Sequence, residues 1–108
     1  MRLEIQFRGM DRSEALETFV TEKIEHAVNG FLHRHDAHVM IWLVSERNKL
    51  NRGTGSFVCE LEVRAPRKQD YFVSKTDTDM HVAIQKATDK LKIVLDEAGK
   101  KELDRRDS

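Results

Sequence analysis

Between Met80 and Ala98, eight apolar residues recur at helical spacing: Met80, Ala83, Ile84, Ala87, Leu91, Val94, Leu95 and Ala98. At 100° per residue they occupy an arc of about 120°, one stripe on an otherwise polar helix. Such a helix cannot bury its stripe alone and needs a facing layer, either another helix or a sheet. Asp77-Thr78-Asp79 offers the start of this helix and Gly99 its end. Residues 100–108 are mostly charged and are expected to fray as a tail.

The rest of the chain supplies the missing layer. Leu3, Ile5 and Phe7 alternate with Arg2, Glu4 and Gln6, the period of a half-buried strand. Ala15, Leu16, Phe19, Val20, Ile24, Ala27 and Val28 then recur at steps of three and four, predicting a helix of about four turns. Its start falls at Asp11, which has Glu14 at capping-box spacing, or at Ser13; Asn29-Gly30 is a natural stop. Val39–Val44 is a short continuous apolar run, and Phe57–Arg64 alternates again. The Asn48–Gly55 stretch between them has the composition of a hairpin tip. Tyr71–Ser74 makes a short last strand. The order is β-α-β-β-β-α: an α+β two-layer sandwich, two helices on one face of a four-stranded sheet, with the first two strands pairing in parallel through a crossover. One domain over residues 1–99 accounts for all of it.

The charge balance narrows the function. Lys and Arg total 19, as do Asp and Glu, so the formal net charge is zero. The balance also holds by halves, with seven basic and eight acidic side chains in residues 1–50 and twelve and eleven in 51–108. A strongly basic nucleic-acid binder is not what composition alone suggests. The start of the chain has charges where a secretory signal needs an apolar core, and no run approaches the roughly 18 apolar residues of a membrane helix. A cytoplasmic protein with no membrane partner is expected.

Motifs for catalysis are sparse. Gly53-Thr54-Gly55 precedes a strand, whereas a dinucleotide fingerprint needs a helix after it, so it reads as turn. His33, His35 and His38, with Asp36 between them, could share a metal, but no Cys or second His pair completes a set, and no metal or other cofactor is expected. Cys59, the single cysteine, alternates in phase with Phe57, Leu61 and Val63 and should face the core as a small hydrophobe. Nothing here points to an enzyme. Met40, Trp42 and Val44 share one face of a strand whose other face carries Val39, Ile41 and Leu43, so one trio is left to look outward. That makes Met40 and Trp42 a candidate partner patch.

The lysines of the second helix are more informative. Lys86 and Lys90 stand one turn apart on an edge clear of the core stripe, while Lys92 falls on the opposite flank with His81 and Gln85. Two lysines one turn apart can meet successive phosphates of a nucleic acid.

Two helical segments add a resemblance to these readings. Ser13–His26 is similar to the pattern T-x-A-L-x-x-Y/F-V-x-x-K-hydrophobic, with Phe31 at a following aromatic position, and Asp79–Leu91 (DMHVAIQKATDKL) is similar to D-M-Y-x-A-I-x-x-A-x-D-K-L. With the order of elements, these make the chain resemble the ribosome hibernation-promoting factor family, which includes ribosome-associated inhibitor A, in its short form. The resemblance implies a non-enzymatic protein that binds the small ribosomal subunit through ribosomal RNA in stationary or stressed bacterial cells and silences translation. Lys23 and Lys90 match basic positions of that family, and Lys100 and Lys101 match its basic tail loosely. Lys86 enters from helix geometry alone, and Arg47, Lys49 and Arg52 on the hairpin are secondary candidates for RNA contact. The chain departs from the family pattern at Glu22, His26 and Asn29, and at His81 and Ile93. The neutral net charge, Glu22, and the expected exposure of Trp42, Val82 and Ile93 motivate the alternative, a divergent member that has become a dimerising, protein-interaction module without ribosome binding.

Overall fold

The computed structural model describes residues 2–32, 36–47, 55–65 and 69–106. The elements run β1 (Arg2–Arg8), α1 (Glu14–Leu32), β2 (His38–Arg47), β3 (Gly55–Arg64), β4 (Tyr71–Asp77) and α2 (Met80–Arg106). The strands form one sheet in the order β1-β2-β3-β4, with β1 parallel to β2 and the other two pairings antiparallel. The expected element order, sheet and fold class are all present.

The core is the seam between the sheet and both helices. Val39, Ile41 and Leu43 of β2 and Cys59, Leu61 and Val63 of β3 are fully excluded from solvent, as are Val20, Ile24 and Val28 of α1 and Ala83, Ile84, Ala87 and Leu91 of α2. Met40, Trp42 and Val44 therefore turn to the sheet face away from the helices, where they are half-buried. Cys59 sits in the core as its phase requires. Burial, with the Glu60 charge as a smaller contribution, pushes its thiol up to about 12, which keeps it protonated and unreactive at neutral pH. Thr88, the one buried polar side chain among the described residues, satisfies itself by donating to the Ile84 carbonyl at 2.9 Å.

Local chemistry sets the helix starts. Ser13 caps α1: its Oγ accepts the Leu16 amide at 3.3 Å and its carbonyl accepts the Glu17 amide at 3.0 Å. Asp79 caps α2, its Oδ1 accepting the His81 amide at 2.8 Å. Gly9 adopts a left-handed φ of 69° where β1 ends. A Cβ there would run into the Ser45 carbonyl oxygen of β2, so only glycine lets the chain leave the sheet at that point.

Several expected boundaries move. Neither Gly30 nor Gly99 ends its helix; α1 runs on to Leu32, and α2 passes a buried Gly99 to reach Arg106. A glycine can take helical angles as readily as left-handed ones, at a cost of about 1 kcal/mol relative to alanine. Ala15 is exposed and lies outside the α1 core stripe. The strands outrun their apolar segments because pairing carries polar ends into the ladder, as in Glu46 opposite Ser56 and Asp77 opposite Phe57.

Candidate nucleic-acid interface

The topology sends α1 and α2 back across the same face of the sheet in the same direction, side by side. Their early turns meet where the Phe19 and His81 rings pack edge to face, with centroids 4.9 Å apart and planes at 62°. One turn further along α1, the Lys23 ammonium lies 5.6 Å from the centroid of the Phe19 ring, a cation–π contact that holds it at the groove between the helices. His81 Nδ1 is 3.5 Å from Oδ1 of Asp79.

The His81 contact fixes which flank of α2 faces α1. At about 100° per residue, Lys92 falls within about 20° of His81, whereas Lys86 and Lys90 fall about 140° and 180° away. Lys86 and Lys90 thus lie on the outer flank, towards β4. There the Lys86 ammonium donates to Oδ2 of Asp77, the last residue of β4, at 2.8 Å. That hydrogen bond, with the Asp79 amide donating to Oδ1 at 3.0 Å, holds the Asp77 carboxyl below its usual range. The lysine edge expected from the sequence is exposed, but one of its two charges is already partnered.

Lys90, Lys92 and Lys100 are exposed and have no hydrogen bond or ion pair among the described residues. Carboxylates are interleaved with them: Asp89, which accepts from Gln85 Nε2 at 2.8 Å, and Asp96 and Glu97. Lys101 lies in the helical backbone of α2 and Arg47 at the end of β2, but their side chains, together with Lys49 and Arg52, fall outside the described residues. By helical angle Lys92 falls on the flank of α2 that faces α1, the helix of Lys23, while Lys86 and Lys90 fall on the outer flank, so the lysines are divided between two flanks rather than joined in one patch. Lys92 lay in no motif, and Phe19 and His81 lay in two separate ones that gave no sign of their contact. The helical angle shared by Lys92 and His81 was the signal that linked them, and only the contact with α1 gives it meaning.

Of the histidine cluster, His33 and His35 lie outside the described residues, Asp36 is exposed, and His38 Nε2 stands 3.6 Å from Glu4 Oε2 across β1 and β2. Among the described residues no group of three His, Cys, Asp or Glu side chains is placed to hold a metal. No helix among the described residues is long and apolar enough to cross a membrane.

A two-layer α+β domain with paired helices presenting lysines beside one aromatic contact defines the class of protein. Its family is shown by sequence: the family model described as sigma 54 modulation protein / S30EA ribosomal protein matches residues 3–102, and the chain belongs to that ribosome-associated family. Among solved structures, the Thermus thermophilus Protein Y N-terminal domain is similar with a TM-score of 0.67 at 19% identity, covering 88% of this chain and 96% of that one. A ribosomal subunit interface protein from Coxiella burnetii is similar with a TM-score of 0.73 at 19% identity, covering 92% and 98%. Both share the fold. No curated protein sequence matches the chain significantly.

Proposed function

We propose that this chain is a non-enzymatic, ribosome-associated factor of the cytoplasm that binds the small ribosomal subunit through ribosomal RNA. In stationary or stressed cells it would hold idle ribosomes silent. The observation that carries this reading is the set of exposed lysines on α2, Lys90, Lys92 and Lys100, on the fold shared with a ribosomal subunit interface protein. Lys23 adds one charge from the third turn of α1: its contact with Phe19 restrains the ammonium, so less side-chain entropy is lost when it meets a phosphate. Lys86 can exchange Asp77 for a phosphate at little cost, because an exposed ion pair is worth only about 0–1 kcal/mol. Lys101, Arg47, Lys49 and Arg52 remain candidates for further contacts.

Co-sedimentation of the purified protein with ribosomes and with isolated subunits, across a salt series, tests the reading. Binding to the small subunit that weakens steeply with salt is the expected result, since each phosphate neutralised contributes about one unit of slope. Absence of binding even at low salt would leave the family fold serving another partner.

A further inference from the structure

The sheet face turned away from the helices carries different chemistry. Strand register places Glu4, Met40, Glu62 and Phe72 on one rung, and Trp42 beside Glu60 on the next. Met40 and Trp42 are half-buried, while Phe72 is 62% exposed, far more than an isolated aromatic needs. Three carboxylates therefore surround an apolar centre. Glu62 accepts a hydrogen bond from Arg64 Nε at 2.7 Å, and Glu4 stands beside His38, but Glu60 has no hydrogen bond or ion pair among the described residues.

This combination selects among occupants. At the centre of the patch nucleic acid is disfavoured, because its phosphates would face the three carboxylates, while Arg2, Arg64 and Arg8 stand on the adjoining rungs of the same face. A second copy of the chain fits poorly for two reasons. With strands about 4.8 Å apart and rungs about 6.6 Å apart, the patch covers roughly 300 Å², well short of the roughly 800 Å² per partner of a stable interface. A twofold contact centred there would also bring like charges together. A neutral apolar partner would desolvate Glu60 without compensation. A short basic segment suits the patch best: apolar side chains can settle on Trp42 and Phe72, and Arg or Lys can pair with Glu60, share Glu62 with Arg64 and Glu4 with His38, or lie over the indole ring.

We propose that the open sheet face is a docking surface for a basic polypeptide segment, with Trp42 and Phe72 as the apolar anchor and Glu60, Glu62 and Glu4 as its charge partners. This is independent of RNA contact by the helices and uses the opposite face of the molecule. Trp42 is the single tryptophan, so its emission reports on occupancy. Titrating the full chain with a synthetic peptide alternating arginine and leucine should shift that emission saturably, and a matched glutamate–leucine peptide should not. Phe72→Ser and Glu60→Lys each alter a side chain outside the core and should weaken peptide binding about tenfold or more. Lys90→Glu, on the helical face, should leave it unchanged. No saturable shift, an equal response to the acidic peptide, or equal binding by the Glu60→Lys variant would overturn the proposal. Two further results would also overturn it by naming another occupant. One is concentration-dependent dimerisation, read by light scattering and abolished by Phe72→Ser. The other is a saturable Trp42 shift with an RNA oligonucleotide that Phe72→Ser removes.

Discussion

The two helices do the same structural work and present different surfaces. Each buries one apolar stripe on the same sheet, and their early turns touch through Phe19 and His81. Over residues 14–29, α1 carries Glu14, Glu17, Glu22 and Glu25 against a single lysine, Lys23. Over residues 80–100, α2 carries Lys86, Lys90, Lys92 and Lys100 against Asp89, Asp96 and Glu97. A net charge of zero is therefore an average over unlike surfaces and does not describe what an approaching polyanion meets. It meets an acidic helix and a lysine-bearing one side by side, and a Debye length of about 8 Å at physiological salt keeps the two fields partly separate. The difference teaches that α2 should lead any contact with RNA, with α1 supplying one anchored charge.

Reversing the outer flank of α2 gives the largest expected effect. The double substitution Lys86→Glu with Lys90→Glu should lower affinity for the small subunit about a hundredfold at low salt and flatten its salt dependence by about two units. Circular dichroism and thermal unfolding should stay close to the parent, because both side chains are exposed. Unchanged co-sedimentation would break the comparison and move the contact to the helix groove. The converse change acts on α1. Glu22 is exposed on its outer face, and Glu22→Lys should raise affinity by several-fold if the acidic helix opposes binding. A variant that binds no better would show that α1 stands clear of the RNA.

How much of this was legible beforehand follows from which forces act locally. The core stripes of α1 and α2 and the alternation in β1 and β3 fix the two-layer fold, because burying apolar area depends on periodicity that any window of sequence contains. Helix ends were less legible. Gly30 and Gly99 are compatible with both continuation and termination, and neighbouring packing, which no local window contains, decides between them. The exposed lysines were named from the wheel, but the Lys86–Asp77 pair joins residues nine apart on two elements, and it forms only once β4 turns into α2. Phe72 was missed for a similar reason. Its alternation with Tyr71 and Val73 shows two faces of a strand, whereas its exposure depends on the sheet's outer face having no covering layer.

Lys23 offers a smaller effect and a way to sharpen the comparison. Lys23→Ala removes the one cation of α1 in this stretch and should weaken ribosome binding about threefold to tenfold, less than the double reversal on α2. Phe19→Leu should retain most of the core packing but release the ammonium from its ring, and a loss of about twofold is expected. Equilibrium binding at fixed salt distinguishes these values. If Lys23→Ala costs as much as the α2 pair, the helix groove is the principal contact and the outer flank is secondary.

The smallest expected effect tests whether the partner of Lys86 restrains it. Hydrogen bonding from Lys86, and then from the Asp79 amide, lowers the Asp77 carboxyl from its usual 3.8. A carboxylate with a depressed folded-state pKa contributes stability that is fully present above its unfolded value and is lost as pH falls through the lower, folded one. The Lys86–Asp77 pair is thus intact throughout the neutral range, and no change of pH near 7 will release the lysine. Substitution will. Asp77→Asn keeps an oxygen at Oδ1 to accept the Asp79 amide while removing the charge that holds the ammonium. The variant should bind the small subunit about twofold to threefold more tightly, with a steeper salt dependence as Lys86 meets a phosphate in full. Weaker binding would mean instead that Asp77 orients Lys86 for its contact, and that the outer flank of α2 works as a positioned pair rather than as two free charges.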